Sequence, residues 1–176
     1  MIYRRLFWIP AMLVAGVGFG QTPSRATATL VNATGVEVGR ATIVPTETGT
    51  AVQITATLTN LPPGTHALHV HTVGKCDPPA FTSAGGHFNP TGKQHGKDNP
   101  NGPHAGDLPN FEANAKGEGT ISYTVPGVTF GEGADSLFHA GGTALVVHAS
   151  ADDYKTDPAG NAGARIACGV IERPRS

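Results

Sequence analysis

Two histidines, His69 and His71, flank Val70 in an apolar stretch of the chain. On an extended strand they leave one face while Val70 leaves the other, so a single metal ion could take a nitrogen from each. Alone, such a pair is a weak signal. Its company strengthens it: His87, His95, His104 and Asp107 follow within a window of twenty-one residues, and His148 ends the apolar run 144–147. Imidazole and carboxylate suit Zn²⁺, and imidazole suits Cu²⁺ equally well. The three loop histidines with Asp107 can close a tetrahedral zinc site.

These residues have to be held by something. The chain has 176 residues, 39% of them apolar and 14% charged, which is enough for one buried core and implies a single domain. With 24 glycines and 14 prolines it reads as turns and loops between short strands, an all-β fold. Strands are expected at 26–31, 37–44, 51–58, 67–73, 119–125, 143–147 and 166–171. The third alternates Val52, Ile54, Ala56 and Leu58 with Gln53, Thr55 and Thr57, the period of a half-buried strand. Seven or eight such strands imply a sandwich or barrel. Two long segments interrupt them. Segment 83–109 carries six glycines and four prolines with almost nothing apolar to bury. Ordering each residue costs about 1 to 2 kcal/mol of backbone entropy, so this loop needs a partner other than a hydrophobic core, and metal binding would supply one. Segment 150–164 holds Asp152, Asp153 and Asp157.

The first twenty residues differ from the rest. Arg4 and Arg5 precede an apolar run that ends in small residues before Gln21, the pattern of a secretory leader, so residues 1–20 are expected to be removed and 21–176 to form the working domain. The run is short for a membrane span, and no stable membrane insertion is expected after cleavage; an uncleaved anchor is the alternative. The formal net charge of −1 becomes −3 without those two arginines, and no basic stripe offers a footing for nucleic acid. Cys76 and Cys168, the only cysteines, lie in the exported part, where an oxidising compartment lets them pair; two free buried thiols are the alternative.

The residues 68–71 (LHVH), 85–90 (GGHFNP), 95–96 (HG), 104–107 (HAGD), 146–148 (VVH) and 160–171 (GNAGARIACGVI) together resemble the bacterial copper/zinc superoxide dismutases, with ligand order and spacing matching over about residues 26–173. The resemblance implies an eight-stranded antiparallel Greek-key β-barrel with two long functional loops. It implies copper on His69, His71, His87 and His148, and zinc on His87, His95, His104 and Asp107, one of each metal per subunit. His87 would be shared, its ring losing both nitrogen protons between two dications. Asp152 matches the carboxylate that links a copper histidine to a zinc histidine. Arg165 matches the arginine that attracts and orients a small anion beside copper. Cys76 and Cys168 match the family's disulfide.

The implied reaction is conversion of superoxide to oxygen and hydrogen peroxide by alternating Cu(II) and Cu(I), with His87 taking up and returning a proton, in a secreted or periplasmic setting. The stretch 75–82 is longer than its counterpart in the eukaryotic enzymes, which leaves the subunit interface, and a homodimer, open. His66 and His139 fall on no ligand position and are assigned structural or surface roles. Two other readings share the ligand set: a store for copper and zinc, which has no need of Arg165, and an adhesion sandwich braced by zinc alone.

Overall fold

A computed structural model describes residues 25–173. The expected leader lies outside them. Among the described residues the regular structure is nine strands and one short 3₁₀ turn, at Thr82–Ala84. The strands are β1 (Ala26–Asn32), β2 (Glu37–Pro45), β3 (Ala51–Leu58), β4 (Gly64–His66), β5 (Leu68–His71), β6 (Phe111–Ala113), β7 (Gly119–Pro126), β8 (Ala144–His148) and β9 (Arg165–Val170). All seven expected strands are found, with ends shifted by a few residues.

The count is nine where eight were expected, because β4 and β6, of three residues each, are too short to show an alternation. They pair with each other, and Ala67 separates β4 from β5. That junction decides the architecture. The strands follow one another in the order β4-β6-β7-β3-β2-β1-β9-β8-β5, so the two ends of the sheet are consecutive in the chain and the sheet nearly closes into a barrel. Ala67 ties the seam by accepting from the His148 N–H and donating to Ser150 O, at 2.9 and 3.0 Å. The links from β3 to β4, β5 to β6 and β7 to β8 join strands that are not neighbours, as a Greek key requires.

Alternation fills the inside. Ala28, Leu30, Ile43, Ile54, Leu58, Val70, Leu145 and Val147 belong to one buried cluster, while Thr27, Thr29, Thr42, Thr55 and Thr57 face water. β5 and β8 are buried on both faces. Their inward residues Leu68, Val70, Leu145 and Val147 join the main core, and the outward ones are covered by the two long loops. On that outer face Ala144 and Val146 pack with Phe81, Ala84 and Cys168 in a second, smaller cluster. His69, His71 and His148 share the outer parity, as the expected face assignment for Val70 requires.

Candidate metal centre

The segment between β5 and β6 folds back along β5 as an irregular strand. Phe88 N–H donates to Val70 O, Val70 N–H to Gly106 O, and Gly106 N–H to Phe88 O, at 2.8 to 2.9 Å. A Cβ at Gly106 would collide with the Val70 carbonyl, so glycine is what lets the loop lie this close. Phe88 and Leu108 are buried in the main core, so the loop has more apolar anchorage than its composition suggests; its remaining fixation is polar. Ladder-like contacts set His71 against His87 and His69 against Asp107.

Three groups of side chains converge so that one ligand atom from each lies within 4.8 Å of the others: His69, His71, His87 and His148; His87, His95, His104 and Asp107; and His69, His95 and Asp152. The hydrogen bonds say which nitrogen of each ring is spare. His71 Nδ1–H donates to Gly85 O at 2.9 Å and His148 Nδ1–H to Gly163 O at 3.3 Å, leaving both Nε2 atoms as acceptors only 3.4 Å apart. His69 and His95 each donate Nε2–H to one oxygen of Asp152, at 2.9 Å. Their Nδ1 atoms and His87 Nε2 are buried without a hydrogen-bond partner. Orphaned buried nitrogens are rare unless an ion or water meets them.

The second group has the dimensions of a tetrahedron. Asp107 Oδ1 lies 2.8, 3.0 and 3.3 Å from the Nδ1 atoms of His87, His95 and His104, and those of His87 and His104 are 3.5 Å apart. Four ligands about 2.0 to 2.1 Å from one zinc have edges of roughly 3.3 Å. The other oxygen, Oδ2, accepts from the N–H groups of Gly96 and His104, at 2.9 and 3.0 Å, which leaves Oδ1 facing the three rings.

Electrostatics prepares the first group and charges the second. Burial first, then the neighbouring charges of His87 and Arg165, pushes His71 down to about 2; burial and His69 push His148 down to about 3. His87 falls to about 4 because burial outweighs its hydrogen bond to Asp107. These rings are neutral near pH 7, the form a metal needs. His95 differs: burial lowers it, but Asp107 and Asp152 prevail and raise it to about 9. Both carboxyls are held well below the usual range against the cost of burial, by hydrogen bonds led by His104 for Asp107 and His69 for Asp152.

Arg165, at the start of β9, donates through Nη1 to Phe81 O at 2.7 Å and through Nη2 to Gly85 O at 2.6 Å. Gly85 O is also the acceptor for His71, so one carbonyl orients both side chains. Cys76 and Cys168 form a disulfide with Cα atoms 5.6 Å apart, as expected from the sequence, tying the stretch before the 3₁₀ turn to β9. All the expected site residues are thus brought together.

The two histidines set aside lie outside the three groups, and His139 Nε2 is buried without a hydrogen-bond partner. Each ring nitrogen of His66 lies 2.8 Å from a carbonyl, those of His148 and Pro62, and His139 stacks on Phe88. Sequence reading missed Phe81, Asn110 and Asp157. Asp157 accepts from the His95 N–H at 2.6 Å, and no spacing pattern announces such a contact.

A family profile for copper/zinc superoxide dismutases matches residues 37–171. The chain belongs to the copper/zinc superoxide dismutase family. Among curated relatives, superoxide dismutase [Cu-Zn] 1 of Aquifex aeolicus is 52% identical over 82% of this chain and 86% of its own length. Among solved structures, a double mutant of a superoxide-dismutase-like protein from Bacillus subtilis has a TM-score of 0.78 at 41% identity, over 82% of this chain and 95% of that one. The Cu/Zn superoxide dismutase from Brucella abortus has a TM-score of 0.68 at 30% identity, over 84% and 99%. The copper/zinc dismutase family therefore extends across nearly the whole described chain.

Proposed function

We propose that the chain converts superoxide to oxygen and hydrogen peroxide, with copper on His69 Nδ1, His71 Nε2, His87 Nε2 and His148 Nε2, and zinc on His87 Nδ1, His95 Nδ1, His104 Nδ1 and Asp107 Oδ1. One of each metal binds per subunit. The observation that carries this reading is that, among the described residues, three of the four buried nitrogens without a hydrogen-bond partner, His69 Nδ1, His87 Nε2 and His95 Nδ1, are atoms the assignment needs and converge in one place, while the fourth, His139 Nε2, lies outside the three groups. Bound copper supplies one-electron chemistry by alternating Cu(II) and Cu(I).

The chain's own residues do the rest. His87 offers a nitrogen to each side, and its Nε2 is the atom that takes up and returns a proton. Asp152 keeps the spare nitrogens of His69 and His95 aimed at the two metals by holding their other nitrogens. Arg165 carries a guanidinium charge beside His71; burial lowers its pKa, but a guanidinium stays protonated in proteins. That charge attracts and orients the superoxide anion. The working domain is 21–176, released outside the cytoplasm once residues 1–20 are removed; among the described residues no helix is long and apolar enough to cross a membrane.

The experiment is superoxide decay by pulse radiolysis over a salt series, on protein of verified copper and zinc content. Arg165→Ala should lower kcat/KM about tenfold or more and flatten the salt dependence at unchanged metal content. Equal rates for the two proteins at every salt concentration would remove the substrate-guiding role and favour metal storage.

A further inference from the structure

Asp152 joins one histidine of each metal group, yet it sits in a loop whose neighbours Ala151 and Asp153 are exposed. A carboxylate can aim two imidazoles only if its own backbone is fixed. That fixation comes from Asn110, three residues beyond Asp107 and forty-two before Asp152. Asn110 Nδ2 donates to Asp152 O at 2.9 Å, and Asn110 Oδ1 accepts from Asp152 N–H at 2.8 Å. One primary amide thus satisfies both backbone groups of one residue, which also settles which end of the amide is oxygen. The Asn110 N–H in turn donates to the Tyr154 hydroxyl at 2.8 Å, and the Tyr154 N–H donates to Asp152 Oδ1 at 2.6 Å. The ring of bonds Asn110–Tyr154–Asp152 closes on itself. A Cβ at Gly160, where φ is +61°, would collide with both Asp152 and His95, so the loop packs against this assembly from its other side.

We infer that Asn110 is a positioning residue that couples the two metal sites: by clamping the backbone of Asp152 it holds the carboxylate that orients His69 and His95 together. The inference rests on the proposed metal assignment. It adds that the segment leaving the zinc ligands sets the aim of a copper ligand, through an amide that touches neither metal. Loss of the clamp leaves every ligand in the chain but frees the Asp152 carboxylate to swing, and both metals loosen together.

The test uses the copper- and zinc-loaded protein, with zinc release to a chromogenic chelator and the Cu(II) electron paramagnetic resonance spectrum as readouts. Asn110→Ala should release zinc about 10- to 100-fold faster, the range for losing an outer partner of a ligand, and should shift the Cu(II) spectrum. Asn114→Ala removes a comparable turn asparagine, which accepts from the Lys116 and Glu118 N–H groups, and should change neither readout. Because Asn110 acts through Asp152, the double variant with Asp152→Asn should be no worse than Asp152→Asn alone. Asn110→Asp, which keeps the shape and the acceptor but cannot donate, is the second variant should the alanine form not fold, and it should show the same loosening. Wild-type zinc release and spectrum in an Asn110 variant, or additive losses in the double variant, would overturn the inference while leaving the metal assignment intact. An Asp152→Asn protein with both readouts unchanged would instead overturn the assignment on which it rests.

Discussion

β3 and the loop that carries the zinc-type ligands are ordered by opposite means. β3 is paired along its whole length with β2 on one side and β7 on the other, and its inward residues Val52, Ile54, Ala56 and Leu58 are fully buried. Its order comes from a pattern repeated every second residue, so no single residue is indispensable. The loop has two apolar anchors, Phe88 and Leu108, and backbone bonds to β5, and its ligand-bearing middle is held by three carboxylates: Asp107 for Gly96 and His104, Asp157 for His95, Asp152 for the His95 ring. Burying Asp107 and Asp152 is costly, and the raised His95 ring sets one positive charge against these two carboxylates. A cation at the centre completes what the hydrogen bonds leave unfinished. The barrel is therefore a scaffold that folds on its own pattern, and the site is a polar structure that needs its ligand.

The largest effect expected from this contrast is on activity. His148→Ala removes a residue whose side chain serves the copper group alone, on a strand that the barrel holds without it. Superoxide decay should fall to the uncatalysed level while the protein stays folded and keeps zinc. Retained activity at full metal content would break the copper assignment.

Stability should divide along the same line. Ile54→Ala should destabilise the whole domain by about 2 to 5 kcal/mol, as large-to-small core substitutions do, with zinc affinity unchanged in the folded fraction. Asp107→Ala should do the reverse, weakening zinc and opening 83–109 to limited proteolysis with a smaller change in the urea midpoint. A midpoint loss for Asp107→Ala as large as that for Ile54→Ala would erase the distinction.

The smallest effect is on pH dependence after metal removal. His71, His87 and His148 are lowered to about 2, 4 and 3 from 6.5, chiefly by burial. The unfolded chain protonates them below about 6.5 and the folded chain does not, so stability falls as pH drops below that value. His95 is raised to about 9, so its contribution is complete below 6.5 and is lost as pH rises through 9. Asp107 and Asp152 are lowered, and what they contribute is lost only in stronger acid. The urea midpoint of the metal-free protein should peak near pH 6.5. A midpoint that climbs steadily to pH 9 would contradict the charge state assigned to His95.

The same contrast explains what could be read in advance. Alternation announced β3, and the spacing of His69 and His71 announced their common face, because both depend on neighbours in the chain. β4 and β6 did not show: three residues carry no period, and they are strands through pairing with each other and, for β6, with β7 as well. The candidate ligands were legible as residue types that have few reasons to cluster in one loop. Their supports were not. Asn110 meets Asp152 across forty-two residues, and Phe81 meets Arg165 across eighty-four, in the second case through a backbone carbonyl that any residue type could offer. The orphan nitrogens are likewise invisible in a sequence, because they are defined by which partners the other ring nitrogens find.

The central claim is that the barrel orders itself while the site waits on zinc. Hydrogen exchange on the metal-free and zinc-loaded protein addresses both halves at once. The amides of His95, Gly96 and His104, which donate to Asp157 and Asp107, should lose most of their protection when zinc is removed and regain it when zinc is restored, while the amides of β3 stay protected throughout. Equal protection of those three loop amides with and without zinc would contradict the account.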